Sequence, residues 1–375
     1  MKKHLLNILN LFFSLFPVKR NQLLFMDYYG AKYGDSPAFL SEYIVKYHPE
    51  WKIFWSFNDP IKFNINGVRK IKYFSLHFFF ILATSKVLIT NYRMPSFFKK
   101  RKGQYYIQTW HSSLRLKKIE KDAENSLTPE YLRMARNDSK NIDLILSGCS
   151  FSSNIFRYSF WYNGEILECG TPRIDRLLNK TPIRIKELKK MMDVNENEKV
   201  VLYCPTFRQR EEDKNFYLDP ISFYKNLTEM SSATNWKLLV RYHPHERANR
   251  INGSLTANIK DVTAFPDVQD LICIADFLVT DYSGVMFDIA YILKPCFLYI
   301  PDLEIYIKNE RELYFDIKTL PFPLCRTYKE LINQINNYNE KNYNENIEKF
   351  IQSIGSFEKG NACERITKRI EKWIK

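Results

Sequence analysis

The chain has 375 residues, which is long enough for two domains that each bury a hydrophobic core. Its 56 basic and 42 acidic residues give a net charge of +14, and this surplus favours anionic partners such as nucleic acid, membrane surfaces or phosphorylated ligands. No RNA-binding signature, zinc-finger spacing or recognisable helix-turn-helix accompanies the charge, so no nucleic-acid partner is expected. The seven cysteines form no CxxC pair and no Cys/His cluster, which predicts buried reduced thiols, a cytosolic compartment and no structural metal.

The first 22 residues form a segment of their own, with a basic start and an apolar stretch over residues 5–16. This stretch is too short to span a bilayer, and no small-residue cleavage site of a signal peptide follows it. Two interpretations stay open. The segment is either an amphipathic helix lying in the membrane plane, with Leu5, Leu9, Phe12 and Phe16 on one face, or a helix packed on the first lobe.

From residue 23 onward, short apolar runs alternate with longer amphipathic runs, a pattern typical of βα units and a mainly parallel sheet. Predicted strands in the first half cover residues 23–26, 52–55, 86–90, 105–108, 143–146 and 165–169, with helices at 37–47, 129–138 and 153–159. After a polar helical stretch at 183–192 the alternation restarts, with strands at 200–204, 237–241, 277–280 and 296–300 and helices at 220–230, 267–275 and 285–293. The Asn-rich run 336–346 is predicted to be loose.

The restart predicts an α/β fold of two Rossmann-like lobes, residues 23–185 and residues 186–375, the second ending in helices. Two such lobes are expected to face a central cleft, with the ligand at the carboxyl ends of the strands. Functional side chains should therefore follow strands directly.

Two histidines occupy such positions. His111 follows the strand at 105–108, and its unperturbed pKa of ~6.5 would let it accept a proton from an alcohol at neutral pH. His243 and Arg241 lie two apart on an extended chain, so they should share a face and could neutralise developing phosphate charge. Taken alone, His111 is more commonly a histidine that stabilises a turn, and His243 could be an ordinary loop residue. His245 is predicted to face solvent.

The segment 276–288 reads as a strand that runs into a turn and then a helix. Ser283 and Gly284 could cap this helix and leave its first N–H groups free for a diphosphate. Asp288 lies one helical turn further, where it could accept a hydrogen bond from a donor hydroxyl. Asp281 is predicted only to stabilise the turn.

Two smaller segments also follow strands. Arg173 in the run 170–176 could clamp a phosphate with two hydrogen bonds. The run 204–208 offers the Thr206 hydroxyl and Arg208. Either run could be a plain strand-ending turn, but five polar turns after five strands favour a ligand site.

Together these segments resemble the CDP-glycerol glycerophosphotransferase family, which includes teichoic acid primases and polymerases for glycerol and ribitol phosphate and related capsule enzymes. The resemblance extends over residues 105–316. It is carried by QTWHSSLRLKKIEKD (108–122), GTPRIDRL (170–177), LYCPTFR (202–208), RYHP (241–244) and DVQDLICIADFLVTDYSGVMFDIAYILKP (267–295). Two positions depart from the family pattern: Ser112 stands where the family usually has glycine, and Ile174 where it often has asparagine.

The resemblance implies a fold similar to two-lobed (GT-B-like) glycosyltransferases and a peripheral position on the cytoplasmic face of the membrane. It implies His111 as the catalytic base on an acceptor-binding N-terminal lobe, His243 as a second essential histidine, and a C-terminal lobe that binds the CDP donor. The donor contacts that it implies are Ser112, Ser113, Leu114, Arg115, Arg173, Pro205, Thr206, Arg241, Tyr242, Ser283, Gly284 and Asp288.

The expected activity is therefore transfer of glycerol or ribitol phosphate from a CDP-polyol to a lipid-linked teichoic acid or capsule acceptor, with release of CMP. Anionic membrane is the third expected partner. No obligatory cofactor is expected, and a role for Mg²⁺ stays open. The alternatives are a glycosyltransferase of the same architecture that uses a nucleotide sugar, and a non-catalytic membrane-associated assembly factor. The polyol, the primase or polymerase mode and the oligomeric state do not follow from the sequence.

Overall fold

The computed structural model describes residues 6, 9, 11–208, 215–230, 234–243, 256–309 and 312–375. The chain forms two compact units, one made of residues 1–113, 119–176 and 355–375, and the other of residues 114–118 and 177–354. Each unit is built on one parallel sheet with helices between its strands. The predicted α/β class with two Rossmann-like lobes is confirmed.

The first unit contains a seven-stranded sheet with the order β3-β2-β1-β4-β5-β6-β7. Its strands are β1 (Lys19–Met26), β2 (Lys52–Phe57), β3 (Arg69–Lys72), β4 (Ser85–Thr90), β5 (Tyr105–Gln108), β6 (Leu144–Ser147) and β7 (Glu165–Glu168). Its helices are α1 (Asp35–Tyr47), α2 (Leu76–Thr84), α3 (Pro129–Ser139), α4 (Ser150–Ser159) and α5 (Pro172–Leu178), with 3-10 turns at Tyr28–Gly30, Pro60–Lys62 and Glu120–Ser126. The strand order reverses direction between β1 and β4, and ligands of doubly wound sheets bind at the carboxyl ends of strands beside such a point.

The second unit contains a six-stranded sheet with the order β10-β9-β8-β11-β12-β13. Its strands are β8 (Glu198–Cys204), β9 (Asn235–Val240), β10 (Ile259–Asp261), β11 (Phe277–Thr280), β12 (Cys296–Tyr299) and β13 (Leu324–Cys325). Its helices are α6 (Pro182–Met191), α7 (Pro220–Met230), α8 (Val268–Ile274), α9 (Val285–Ala290), α10 (Leu303–Asn309), α11 (Tyr328–Asn336) and α12 (Glu340–Ser353), with a 3-10 turn at Ile317–Thr319. Val201, Leu238 and Val279 from its three central strands are fully or almost fully buried in one core.

The last helix, α13 (Ala362–Ile374), belongs to the first unit, and this corrects the predicted division of the chain. Its residues Ile366 and Ile370 are fully buried in the same core as Leu23 and Phe25 of β1. The boundary also lies between residues 176 and 177, not at 185, and residues 114–118 go to the second unit. Apolar spacing predicts that a helix has a buried face, but it does not say which core that face joins.

Several elements differ from the predicted ones for local reasons. Strand β1 begins at Lys19, four residues before the predicted start, and the short edge strands β3, β10 and β13 were not predicted. The Asn-rich run was predicted to be loose, but α12 begins within it. The Asn339 side chain accepts a hydrogen bond from Asn342 N at 3.0 Å, and Tyr343 and Ile347 are buried. An N-cap and two apolar anchors are sufficient to fold a polar stretch as a helix.

The N-terminal segment contacts the first unit on one side. The rings of Phe13 and Phe16 lie 5.9 and 5.3 Å from that of Phe80, and Arg101 donates a hydrogen bond to the Phe16 carbonyl at 3.0 Å. Among the described residues of this segment, the large apolar side chains that stay exposed are Leu11, Phe12, Leu15 and, to a smaller extent, Phe16. Leu5, which was predicted on the apolar face, lies outside the described residues. In the part of the chain that the structure describes, no helix is both long and apolar enough to span a membrane.

The thiols of all seven cysteines are buried and none is part of a disulfide, as the sequence predicts.

Candidate active site

The turn that carries His111 follows β5 directly. The Gln108 side chain accepts a hydrogen bond from Trp110 N at 2.9 Å, and Trp110 has a left-handed φ of 51°, which is uncommon for a bulky residue. The Trp110 ring stacks on the His111 ring with 4.4 Å between centroids. His111 itself is partly exposed. The strand end, the strained residue and the stacked ring thus hold the imidazole at the edge of the sheet.

Arg173 and Asp35 hold the main chain of the same turn. Arg173 Nη1 lies 3.2 Å from both carboxylate oxygens of Asp35 and also donates a hydrogen bond to the His111 carbonyl. Both charged side chains are buried. The predicted phosphate contact of Arg173 stays a prediction, because the structure shows Nη1 engaged inside the unit. Asp35 was missed by the sequence analysis; the signal in the sequence is the Gly-Asp-Ser-Pro run that opens α1.

A second loop beside His111 was also missed. Tyr28, Tyr29 and Gly30 follow β1 with three successive left-handed φ values of 40°, 56° and 81°. The Tyr28 ring lies 6.3 Å from the His111 ring, and Lys32 Nζ lies 4.7 Å from the centre of the Tyr28 ring. Strained backbone conformations concentrate at functional sites, and this loop follows a strand at the reversal point of the sheet. A polar, Gly-containing run after the first strand was the available signal.

The chain leaves the first unit after Ser113, two residues beyond His111. Ser112 is partly exposed, and Ser113 is buried with its hydroxyl 2.6 Å from Glu358 Oε1. Leu114 and Arg115 are buried in the second unit. Of these four predicted donor contacts, Ser112 and Ser113 therefore belong to the first unit, and Leu114 and Arg115 belong to the second.

In the second unit, three predicted segments follow three adjacent strands. Cys204 of β8 is in register with Thr280 of β11, and Tyr203 of β8 is in register with Val240 of β9. The runs 205–208, 241–243 and 281–284 therefore emerge at the same edge of the sheet. Leu114 also lies at this edge, since its carbonyl oxygen is 3.7 Å from the position that a Cβ on Gly284 would take.

Asp281 ties two of these runs together. It accepts hydrogen bonds from Thr206 N at 2.9 Å and from Thr206 Oγ1 at 2.5 Å, and from Tyr282 N at 2.6 Å. Its predicted role in stabilising the turn is confirmed. Pro205 is buried directly before Thr206.

Arg208 is a buried ion-pair residue of the second unit. Its guanidinium lies 2.8 Å from Asp302 and 3.1 Å from Asp281. Burial alone would lower the pKa of Arg208, but these two carboxylates outweigh it and hold the pKa above its ordinary value. The hydroxyl of Thr206 and the guanidinium of Arg208 are thus both engaged within the unit.

The segment after β9 carries the second histidine. Arg241 is half-buried, and its Nη1 donates to the carbonyls of Phe265 at 2.6 Å and Val262 at 3.2 Å. The main-chain N–H of Tyr242 donates to the Thr263 hydroxyl at 3.0 Å. His243 is exposed, with its ring 5.5 Å from that of Phe207. Pro244 and His245 lie outside the described residues.

The start of α9 lies at the carboxyl end of β11, as the sequence predicts. Gly284 is the residue before the helix, and the Ser283 hydroxyl accepts a weak hydrogen bond from Val285 N at 3.4 Å. Asp288 is buried, and its Oδ2 accepts from the Gln269 side chain at 2.9 Å. Asp288 therefore supports the contact of α9 with α8, and its predicted contact with a donor hydroxyl stays a prediction. Among the described residues, no group of three His, Cys, Asp or Glu side chains could hold a metal ion.

Two doubly wound parallel sheets, each with polar turns at the carboxyl ends of its strands, define a two-unit α/β protein of the Rossmann-like class. The profile of the family described as CDP-Glycerol:Poly(glycerophosphate) glycerophosphotransferase matches residues 8–372. The chain belongs to this family, as the sequence motifs indicate.

Individual relatives agree with that membership. The chain is 32% identical to the teichoic acid poly(glycerol phosphate) polymerase of Staphylococcus epidermidis, over 96% of this chain and 51% of that protein. It is 30% identical to the polymerase of the same name from Bacillus subtilis, over 96% of this chain and 50% of that protein. The chain thus spans about half the length of these two relatives. It is 31% identical to the teichoic acid glycerol-phosphate transferase of Staphylococcus aureus, over 94% of this chain and 93% of that protein.

The fold is similar to a solved structure of the wall teichoic acid polymerase TagF. The TM-score is 0.87 at 29% identity, over 98% of this chain and 94% of that one. The similarity covers both α/β units.

Proposed function

We propose that this chain transfers a polyol phosphate, in the first instance glycerol phosphate, from a CDP-linked donor to a teichoic acid acceptor and releases CMP. The relatives whose names specify poly(glycerol phosphate) polymerase or glycerol-phosphate transfer support this substrate class. The observation that carries the proposal is the His111 turn. Its imidazole is partly exposed and stacked on Trp110, while its carbonyl is fixed by the buried Arg173.

In the proposed reaction, an acceptor hydroxyl attacks the β-phosphorus of the CDP-polyol as His111 takes its proton. The bond from the β-phosphorus to the bridging oxygen breaks, and CMP leaves with the electron pair. A neutral imidazole suits this task, since its ordinary pKa lies close to neutral pH. Holding the two reactants in line can supply a large part of the acceleration.

The second unit would stabilise the charge on the transferring and leaving phosphates. Arg241 and His243 follow β9, and the N–H groups at Ser283 and Gly284 follow β11, two strands away in the same sheet. Fixed donors and cations at the point where charge develops are usually the largest contribution to such catalysis. The proposal requires no obligatory cofactor, and assays with and without Mg²⁺ test that point.

We also propose that the protein docks on the anionic cytoplasmic face of the membrane through its N-terminal segment, because a lipid-linked acceptor is held there. Leu11, Phe12 and Leu15 are 72%, 54% and 79% exposed. Exposure of these apolar side chains to water is unfavourable, and burial in lipid would remove that free-energy cost. The net charge of +14 would add attraction to anionic lipid.

The test is a donor panel. The protein is incubated with CDP-glycerol, CDP-ribitol and a set of nucleotide sugars, each with a lipid-linked polyol-phosphate acceptor, and the released nucleotide and the acceptor mass are measured. We expect CMP and an acceptor heavier by one or more polyol phosphates. Release of a nucleoside diphosphate from a nucleotide sugar would favour the glycosyltransferase. No release from any donor would favour the non-catalytic assembly factor.

A further inference from the structure

The segment between α12 and α13 brings one acidic side chain from the end of the chain to the His111 turn. The segment is attached to the loop after β6 by main-chain hydrogen bonds, from Ser150 N to Gly355 O at 2.9 Å and from Phe357 N to Gly148 O at 2.8 Å. Glu358 follows directly. It is separated from Ser113 by 245 residues in sequence, and no local pattern indicates this contact.

The Glu358 carboxyl group has three hydrogen-bond partners in the first unit. Its Oε1 lies 2.6 Å from Ser113 Oγ and 2.8 Å from Thr171 Oγ1, and its Oε2 accepts from Thr171 N at 2.8 Å. The residue as a whole is partly exposed, but this end of the side chain points inward. All polar partners of the carboxyl group therefore come from two loops, the one after β5 and the one after β7.

Two glycines leave the space that this carboxyl group fills. A Cβ on Gly148 would lie 2.0 Å from Ser113 Oγ and 2.3 Å from Glu358 Oε1, and a Cβ on Gly170 would lie 2.7 Å from Glu358 Oε2. Such distances are far below contact distance, so any side chain at Gly148 would have to displace Ser113 or Glu358. Gly170 additionally has a left-handed φ of 83°. The local backbone is thus shaped around the Glu358 contact.

The two loops that Glu358 joins are the loops that fix His111. Ser113 lies two residues after His111, and Thr171 lies two residues before Arg173, which donates to the His111 carbonyl. We propose that Glu358 is a positioning residue for His111, which keeps the turn after β5 and the start of α5 in the relation that catalysis needs. This inference rests on the proposed role of His111, and Glu358 itself touches no reacting atom.

The contact does not require a charged carboxylate. Burial raises the pKa of Glu358 to about 8, opposed by its hydrogen bonds to Ser113 and Thr171 and reinforced by nearby Asp175. Two of the three partners are hydroxyl groups, which can donate or accept, so the set of contacts fits both protonation states. A glutamine of the same length should therefore replace Glu358, whereas a shorter aspartate should not reach.

The first experiment compares Glu358→Gln, Glu358→Asp and Gly148→Ala in the full-length protein with CDP-glycerol and acceptor. We expect Glu358→Gln to keep kcat within about threefold, and the other two to lose about 10- to 100-fold in kcat with little change in donor KM, because small displacements of a catalytic group are costly. The opposite order, with aspartate active and glutamine inactive, would show that the charge matters and would overturn the proposal.

The matched control is Asp175→Asn. Asp175 accepts from Ala362 N at 3.0 Å and Cys363 N at 2.7 Å, so this substitution loosens the attachment of the same C-terminal segment but removes none of the hydrogen bonds between Glu358 and the loops at Ser113 and Thr171. We expect it to lower the melting temperature and leave kcat within about twofold, since loss of one buried acceptor weakens the fold by an ordinary amount. Equal losses of kcat in Asp175→Asn and Glu358→Asp would show that Glu358 stabilises the fold and does not position His111.

A readout that does not depend on turnover separates this inference from the proposed function. With histidine-labelled protein, the His111 ring signals are assigned by their loss in His111→Ala and are compared between variants. We expect them to shift or broaden in Glu358→Asp and Gly148→Ala and to stay in place in Glu358→Gln and Asp175→Asn. Unchanged His111 signals in all four variants would contradict the proposal whether or not the wild-type protein releases CMP.

Discussion

Arg173 links the carboxylate of Asp35 to the main-chain carbonyl of His111, with 3.2 Å from its Nη1 to each Asp35 oxygen. The pair connects the first turn of α1 to the first turn of α5 across the sheet edge where His111 lies. Asp35 has a left-handed φ of 56°, so this arrangement also holds strained backbone. These contacts of Nη1 support a role for Arg173 in placing the histidine, and the predicted phosphate contact stays a separate prediction.

Replacing Arg173 with lysine tests that role. Lysine keeps the charge but cannot reproduce the planar guanidinium that reaches Asp35 and the His111 carbonyl together. We expect Arg173→Lys to lower kcat about 10- to 100-fold. Arg176→Lys is the control on the same helix, because Arg176 lies 3.4 Å from the exposed Glu42 and over the ring of Phe39. A large rise in donor KM with unchanged kcat would instead support the phosphate contact.

Asp35→Asn tests the other end of the pair. Asparagine tolerates the left-handed backbone, so the change removes charge without adding strain. Because it leaves a buried guanidinium without its counter-charge, we expect a loss of about 3 kcal/mol in the free energy of unfolding. Urea denaturation measures this, and a loss below about 1 kcal/mol, the level of an exposed ion pair, would show that the pair matters little.

The contact between Asp281 and Thr206 should govern donor binding. Asp281→Asn removes part of the hydrogen bonding that joins the turns after β8 and β11, so we expect donor KM to rise about 5- to 20-fold, equivalent to about 1 to 2 kcal/mol. Asp276→Asn is the matched control. Asp276 accepts from Val200 N at 2.7 Å at the opposite end of the same two strands. If both variants raise KM equally, strand pairing and not the turn is responsible.

The raised pKa of Glu358 predicts a pH effect on stability. The pKa is about 8 in the folded chain against an ordinary value of 4.5, so between these values the folded state keeps a proton that the unfolded state has lost. The stabilising effect of this protonation is complete below pH 4.5 and is lost as pH rises toward 8. Relative to Glu358→Gln, which does not titrate, the wild-type free energy of unfolding should fall by an amount on the order of a few kcal/mol across this window. Parallel curves for the two proteins in denaturation series would contradict the assignment.

The exposed apolar side chains near the N-terminus predict vesicle binding. We expect Leu11→Glu combined with Leu15→Glu to lower binding to anionic vesicles at least about tenfold, because each buried leucine contributes roughly 1.5 to 3 kcal/mol. Ile61→Glu is the control, since Ile61 is 92% exposed in the same unit but far from the segment in sequence. Sedimentation with anionic and neutral vesicles measures the effect, and equal losses in both proteins would show that any added charge suffices.

The local pattern of apolar and polar residues was sufficient to predict the strands that carry the candidate site. β5 and β11 begin and end where the sequence predicts, because each is a short apolar run bounded by polar residues. The same pattern did not predict contacts between residues that are far apart in sequence. The ends of Glu358 and Asp35 are fixed by partners 245 and 138 residues away. Glu358 has no motif signal of its own, and the Gly-Asp-Ser-Pro run at Asp35 does not indicate which residue is its partner.

The same limit applies to two of the predicted donor contacts, which stay predictions. Thr206 was expected to contact the donor because it follows a strand, and Asp288 because it lies one helical turn after Gly284, but a side chain at that edge of the sheet can also turn inward. Thr206 forms a hydrogen bond with Asp281, and Asp288 forms one with Gln269. Both partners lie on neighbouring elements, whose positions in the fold cannot be predicted from residue spacing.

The most direct measurement concerns His111 as the base. CMP release from CDP-glycerol with acceptor is measured by rapid quench for the wild-type protein, His111→Ala and the exposed control His77→Ala, and calorimetry gives the donor Kd of each. We predict that His111→Ala loses about 10²- to 10⁴-fold in rate while its donor Kd stays within about threefold, and that His77→Ala behaves like the wild type. Near-native CMP release by His111→Ala would contradict the account.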